Sequence, residues 1–316
     1  MSRGRSATAA LAVIVALMLS GCATLPTQVL TVSDQPAGAA AATPTPTSAR
    51  TSAPSLVAAL WPSTLQPPSG FTWLRVVSSP ALAVATVDRG AVSVMWMDSS
   101  LLRFRFVPGY TWPERGPVAP ADTQPETWTA HMVAAFNGAF KLADHVGGYY
   151  YRGRMVSPLR SGYAAFAVHR DGSLSVGVWG KDLYMTSDLV VVRQNLKPIV
   201  FNGVSQTSAS DVSSTWGLTL QRLRAVNRSA LGQRADGSLV FVFGHLVTPE
   251  TIAQALIRAG AREAMMLDMN VVWPTGFVYT HTGGHIVGKR INANIKKSPS
   301  IYLAQFSKDF VAVESR

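Results

Sequence analysis

Asp268 follows the apolar run Ala264-Met265-Met266-Leu267 in the stretch Ala261–Asn270, AREAMMLDMN. A carboxylate just beyond a buried strand is rigidly held yet reachable from a crevice, where it can face a substrate; the same residue type also caps or turns a chain. Asn137 stands in the same relation to Met132–Phe136, at the start of Asn137-Gly138-Ala139-Phe140. Its amide could orient a sugar hydroxyl or a phosphate oxygen, and Asn-Gly is also ordinary turn chemistry. His245 follows the apolar run Val240–Gly244 and is the nearest candidate for proton transfer, or a plain loop histidine.

The elements that must position these residues are legible around them. Thr248 can cap a helix whose first turn is Pro249-Glu250-Thr251. Ile252, Leu256 and Ala259 give it one apolar face, Arg258 suits the dipole at its end, and Gly260 can take a left-handed cap. The next run is too short and apolar for a second surface helix, so it reads as a strand. Upstream, Phe71–Val77, Leu82–Val87, Ala91–Trp96 and the alternating Leu102–Phe106 read as strands. Residues 112–125 read as a long loop. Two hairpins, Tyr163–Val176 and Ser229–Phe243, turn on the same Asp-Gly-Ser-Leu sequence, and Ile301–Phe306 reads as a closing strand. The glycine-rich stretch His145–Arg160, with Gly147, Gly148, Tyr149, Tyr150, Tyr151, Arg152, Arg154 and Arg160, could cover a carbohydrate or phosphate site, or could be a well-packed surface loop.

The first residues carry a processing signal. Arg3 and Arg5 precede the apolar core Ala9–Leu19, with small residues at Ser20 and Gly21. Cys22, the only cysteine, follows Leu19-Ser20-Gly21, and this junction resembles the lipobox of bacterial lipoproteins. The resemblance implies a signal peptide over 1–21, acylation of Cys22, and localisation on the extracytoplasmic face of the cell membrane. Residues 22–55, rich in Ala, Thr and Pro, read as a disordered tether, leaving 56–316 as one domain. The net charge of +11 suits anionic lipid headgroups, cell-wall phosphates or a phosphate-bearing substrate. Nucleic acid is not an expected partner, because the basic residues are scattered and the signal exports the chain. Nothing in the sequence sets the oligomeric state. His281 and His285 invite a zinc reading, but there is no HExxH, and imidazole and oxygen ligands would have to come from distant loops.

Over roughly 133–306 the chain resembles the phosphodiester glycosidase family, which includes the enzyme that uncovers mannose 6-phosphate. Asn137-Gly138-Ala139-Phe140-Lys141 stands where that family has NGGFF. Arg228 precedes the hairpin through Asp236-Gly237, and Gly260-Ala261 leads to Leu267-Asp268 where the family continues LDGGGSS. Here Met269, Asn270, Val271, Val272 and Trp273 replace the glycines and serines, removing positive-φ positions and bringing bulk toward the expected pocket. The resemblance implies an α/β (α+β) fold of mixed sheets with helices in one domain. It also implies hydrolysis of a sugar from a sugar-1-phosphodiester, with phosphorylated glycan or another carbohydrate as the partner. In that reading Asp268 is the carboxylate, Arg228 the phosphate clamp, Asn137 the orienting amide and His245 the proton-transfer group. Some family members are associated with calcium. The altered segment after Asp268 equally suits a catalytically inactive, glycan-binding or envelope-assembly lipoprotein on the same fold.

Overall fold

The computed structural model describes residues 65–76, 79–111, 122–212, 214–218 and 223–316. Its contacts divide the chain into Met1–Ser52 and Ala53–Arg316, and every described residue lies in the second unit. The signal, Cys22 and the tether lie outside the described residues, as does most of the loop expected at 112–125.

Three antiparallel sheets make the fold. The first has eight strands in the spatial order Leu74–Arg75, Leu82–Val87, Val92–Met97, Leu239–Val247, Val226–Arg234, Ala261–Met269, Val200–Phe201 and Val204–Ser205. The second orders Arg154–Ser157, Tyr149–Tyr151, Leu189–Gln194, Ala164–His169 and Leu174–Val178. The third orders His285–Arg290, Gly276–Thr282, Met132–Asn137, Phe310–Ser315 and Leu102–Val107. Among the described residues the α-helices are Glu126–Thr129 and Pro249–Arg258, and no helix is long and apolar enough to cross a membrane. This is the α+β form of the expected fold.

The first sheet is buried on both faces, which explains its continuous apolar runs. Side chains alternate across it. Met95, Leu231, Phe241, Met265 and Leu267 join the core shared with the other two sheets. Val94, Ala230, Val242, Ala264 and Met266 join a second core under the Pro249–Arg258 helix, against Ile252 and Leu256. That helix starts as its sequence dictates. Thr251 N donates to Thr248 Oγ1 at 3.4 Å, and Gly260 closes it at φ +80°.

The two hairpins share their turn chemistry. Asp171 Oδ1 accepts from Ser173 N and Oγ at 2.8 and 2.7 Å, and Asp236 Oδ1 accepts from Ser238 N and Oγ at 3.0 and 2.6 Å. The expected strand over Ile301–Phe306 is corrected. Pro299–Tyr302 is a 3₁₀ turn started by Ser298, and Tyr302 stacks on Phe310 with ring centroids 4.2 Å apart. That apolar run is an aromatic plug, and the closing strand is Phe310–Ser315. The opening strand shortens to Leu74–Arg75.

Candidate active site

The Ala261–Met269 strand pairs with Val226–Arg234 until a register shift between Ser229 and Ala230, where Ser229 faces Asp268 and Ala230 faces Met266. A bulge re-aims the residues that follow it. Asn195 supports the bulge from the side, its Nδ2 donating to Met266 O at 2.8 Å and Leu267 O at 3.0 Å. Asp268 is buried, 3% exposed, at the base of a cleft of about 500 Å³.

Both Asp268 carboxylate oxygens are held. Met269 N donates to Oδ1 at 2.7 Å, and Lys308 Nζ donates to Oδ2. Lys308 comes from the segment before the closing strand, and its neighbour Asp309 is fully buried. Arg193 Nε donates to Asp309 Oδ2 at 3.0 Å, and its Nη2 donates to Phe140 O. Asp268, Lys308, Asp309 and Arg193 therefore line up as alternating charges in the interior. Burial pushes the Asp268 carboxyl above the ordinary aspartate range, against the pull of the Lys308 ammonium. Asp309 is raised by the same desolvation, opposed first by Arg193.

The cleft is also lined by Trp273, Phe140, Lys141 and Asp144. The Trp273 ring lies 5.2 Å from Lys308 Nζ and 4.8 Å from Lys297 Nζ. Asp144 ends the 3₁₀ turn Leu142–Asp144, and its charge adds to the upward push on Asp268. Aromatic rings, carboxylates and ammonium groups are the means by which a protein holds a sugar ring bearing an anionic substituent. Val271 and Val272, expected to crowd this space, are not among its walls, and Val271 is exposed.

The other expected site residues are placed elsewhere. Arg228 is buried, and its guanidinium donates to Val247 O at 3.2 Å, Trp216 O at 2.9 Å and Arg224 O at 2.9 Å. It ties three chain segments together and is not among the residues that line the cleft. Desolvation lowers its pKa to about 10. Asn137 is also buried, its Oδ1 accepting from Thr275 N at 2.9 Å and its Nδ2 donating to Gly138 O at 2.8 Å. The amide joins two strand ends and presents nothing to the cleft. His245 Nδ1 meets Asn227 Oδ1 at 2.8 Å, also outside the cleft lining. The glycine-rich stretch is packed over Gly147–Tyr149 and at Tyr151 and exposed over 152–155. A Cβ at Gly148 would lie 2.2 Å from Pro158 O, and Tyr149 and Tyr151 are buried beside Phe106.

The sequence reading missed Lys308, Asp309, Arg193, Asp144 and Lys141. The signal for the first two was a charged pair set directly before the apolar run Phe310–Val313. Calcium does not fit this donor set. Calcium takes six to eight oxygen ligands, whereas here the Lys308 ammonium already occupies Asp268 Oδ2. No cluster of three His, Cys, Asp or Glu side chains suited to a metal occurs among the described residues. His281 Nε2 lies 2.9 Å from Met132 O, its hydrogen-bond partner.

With this geometry in view, the fold is phosphodiester-glycosidase-like. The model of the phosphodiester glycosidase family matches residues 130–268, a span that ends on Asp268 itself. Among solved structures, the chain is similar to the zebrafish N-acetylglucosamine-1-phosphodiester alpha-N-acetylglucosaminidase catalytic domain auto-inhibited by its pro-peptide. The two share 15% identity over 74% of this chain and 82% of that one, with a TM-score of 0.43. It is also similar to a hypothetical protein from Synechocystis at 10% identity, covering 78% of this chain and 61% of that one, TM-score 0.43. No curated protein matches the chain by sequence.

Proposed function

We propose that the chain is an exported, lipid-anchored hydrolase that cleaves a sugar from a sugar-1-phosphodiester in envelope or extracellular glycans. The observation that carries this reading is the cleft lined by both Trp273 and the buried Asp268, which is paired with Lys308. The family match over 130–268 supports the bond type. In this reading the sugar packs on the Trp273 face, and the Asp268 carboxylate steadies the positive charge that develops at the anomeric carbon. Asp144 takes a proton from the attacking water. The water oxygen bonds to the anomeric carbon, the bond from that carbon to the phosphate oxygen breaks, and the phosphate monoester leaves with the electron pair. Lys141 and Lys308 neutralise its oxygens. Arg228, Asn137 and His245 act only through the scaffold. The anchor is the acylated Cys22.

One observation favours a second reading, in which the same cleft binds a glycan without turnover. Both Asp268 oxygens are already engaged, and the family match stops where the glycine run would begin. Turnover of a panel of sugar-1-phosphodiesters separates the two. We expect release of free sugar that falls at least about 100-fold in Asp268→Asn, the scale of a lost proton-transfer or charge-stabilising group. Equal release from wild type and Asp268→Asn would remove Asp268 from the chemistry. Saturable binding of the same compounds with no release would select the second reading.

A further inference from the structure

Away from the Asp268 cleft, a second hollow of about 270 Å³ opens between the Leu102–Val107 edge strand of the third sheet and strands of the second sheet. Its walls carry four arginines, Arg103, Arg105, Arg152 and Arg170, against two carboxylates, Asp122 and Glu314. Strand alternation sets Arg103 and Arg105 opposite the buried Phe104 and Phe106.

Both carboxylates are spent. Asp122, itself buried, accepts from Arg152 Nε at 2.8 Å and Nη2 at 2.9 Å, and from the Tyr151 hydroxyl. Glu314 Oε1 accepts from Arg105 Nε at 2.7 Å. Two further carboxylates flank the hollow and keep their charge: Asp171 accepts from Ser173 N and Oγ of its own turn, and Asp188 Oδ2 lies 2.7 Å from His169 Nδ1. Arg103 and Arg170 form no ion pair among the described residues. The one described side-chain bond of each is long, Arg103 Nε to Asp171 O at 3.4 Å and Arg170 Nη2 to Ser187 O at 3.3 Å. Among the residues that line the hollow, four guanidinium groups stand against two carboxylates, an excess of two positive charges within the lining itself. A guanidinium has five N–H donors and cannot lose its charge, so an anion is the partner that both relieves the repulsion and uses the donors.

We infer that this hollow is a second binding site, for a phosphate-type dianion, with Arg103 and Arg170 closing on it and the paired Arg105 and Arg152 forming its fixed wall. Two unpaired forks match a tetrahedral dianion better than a single carboxylate does. Inorganic phosphate and a phosphate monoester share this chemistry. The inference does not depend on the hydrolase reading, because no residue of the Asp268 cleft takes part.

The test is calorimetric titration of the full chain at low ionic strength, with inorganic phosphate and, separately, with a hexose phosphate monoester. The variants are Arg103→Gln with Arg170→Gln, and Lys289→Gln on the exposed edge strand His285–Arg290, outside both hollows, as the control. We expect the arginine pair to weaken phosphate binding by about tenfold or more at an unchanged melting temperature, while Lys289→Gln retains it. Tighter binding of the ester than of the free ion would assign the site to a phosphorylated ligand, and the reverse order to phosphate itself. Unchanged affinity in the arginine pair, no binding of either compound, or an equal loss in Lys289→Gln would each overturn the inference. Should the double variant melt lower, Arg103→Gln alone, on an exposed edge position, carries the test with the same outcomes.

Discussion

Lys308 determines what Asp268 can do. Without the ammonium, desolvation of the Asp268 carboxyl acts unopposed and its pKa rises further. In Lys308→Met the acid limb of kcat/KM should therefore move to higher pH, and an unmoved limb would mean that Asp268 does not titrate in the reaction. The stability consequence has a definite sign. A carboxyl whose folded pKa lies above its unfolded value stabilises the fold below the unfolded pKa, and that contribution is lost as pH rises through the folded pKa. The melting-temperature deficit of Lys308→Met relative to wild type should thus widen from acid to neutral pH. Arg228 makes a contrasting case. Its three carbonyl partners would be orphaned in Arg228→Ala, at a cost of about 3 kcal/mol, read as a lower denaturation midpoint. A phosphate clamp would instead raise KM and leave the midpoint in place.

At the scale of elements, the Asn-Gly that ends Met132–Asn137 shows how a motif can be read correctly for position and still mislead about cause. Gly138 is not a positive-φ residue. A Cβ there would lie 2.5 Å from Asp309 Cγ, so glycine is required by the close approach of the closing strand. Gly138→Ala should cost about 1–3 kcal/mol by overpacking and should disturb the Arg193–Asp309 pair beneath Lys308. A neutral melting temperature in this variant would contradict the argument. The strands themselves were largely legible. Leu82–Val87 has the bounds its apolar run sets, and the capped helix and the Asp268 strand follow from local propensity and pattern. Of the cleft lining, Asp268 was legible from its place at the end of an apolar run. Its partner lies 40 residues away and Asp309 meets Arg193 across 116, so these pairs exist only once three sheets are assembled. The surroundings of Arg228 were illegible for the same reason, since nothing local reveals that three distant carbonyls claim its guanidinium.

For the whole molecule, the proposed anchor and the charge act together. The net charge of +11 includes Arg3 and Arg5 of the expected signal; the basic excess that remains without them would draw the chain toward anionic headgroups and phosphate-bearing polymers, but attraction of this kind is screened over about 8 Å at physiological salt. Charge alone would leave the protein removable by a salt wash. Two or more acyl chains on a processed Cys22 would hold it against that wash, whereas a single chain gives only marginal attachment. In that proposal the proline- and alanine-rich stretch after Cys22 would act as a spacer that lets the domain reach material beyond the headgroups. Expressed in its native envelope, the wild-type chain should stay in the membrane fraction through a high-salt wash and gain mass matching acylation at Cys22. Cys22→Ala should lose both the added mass and the salt-resistant fraction, while keeping the melting temperature of the domain. An unmodified Cys22 in the salt-washed membrane fraction would show that the protein is held there by something other than lipid.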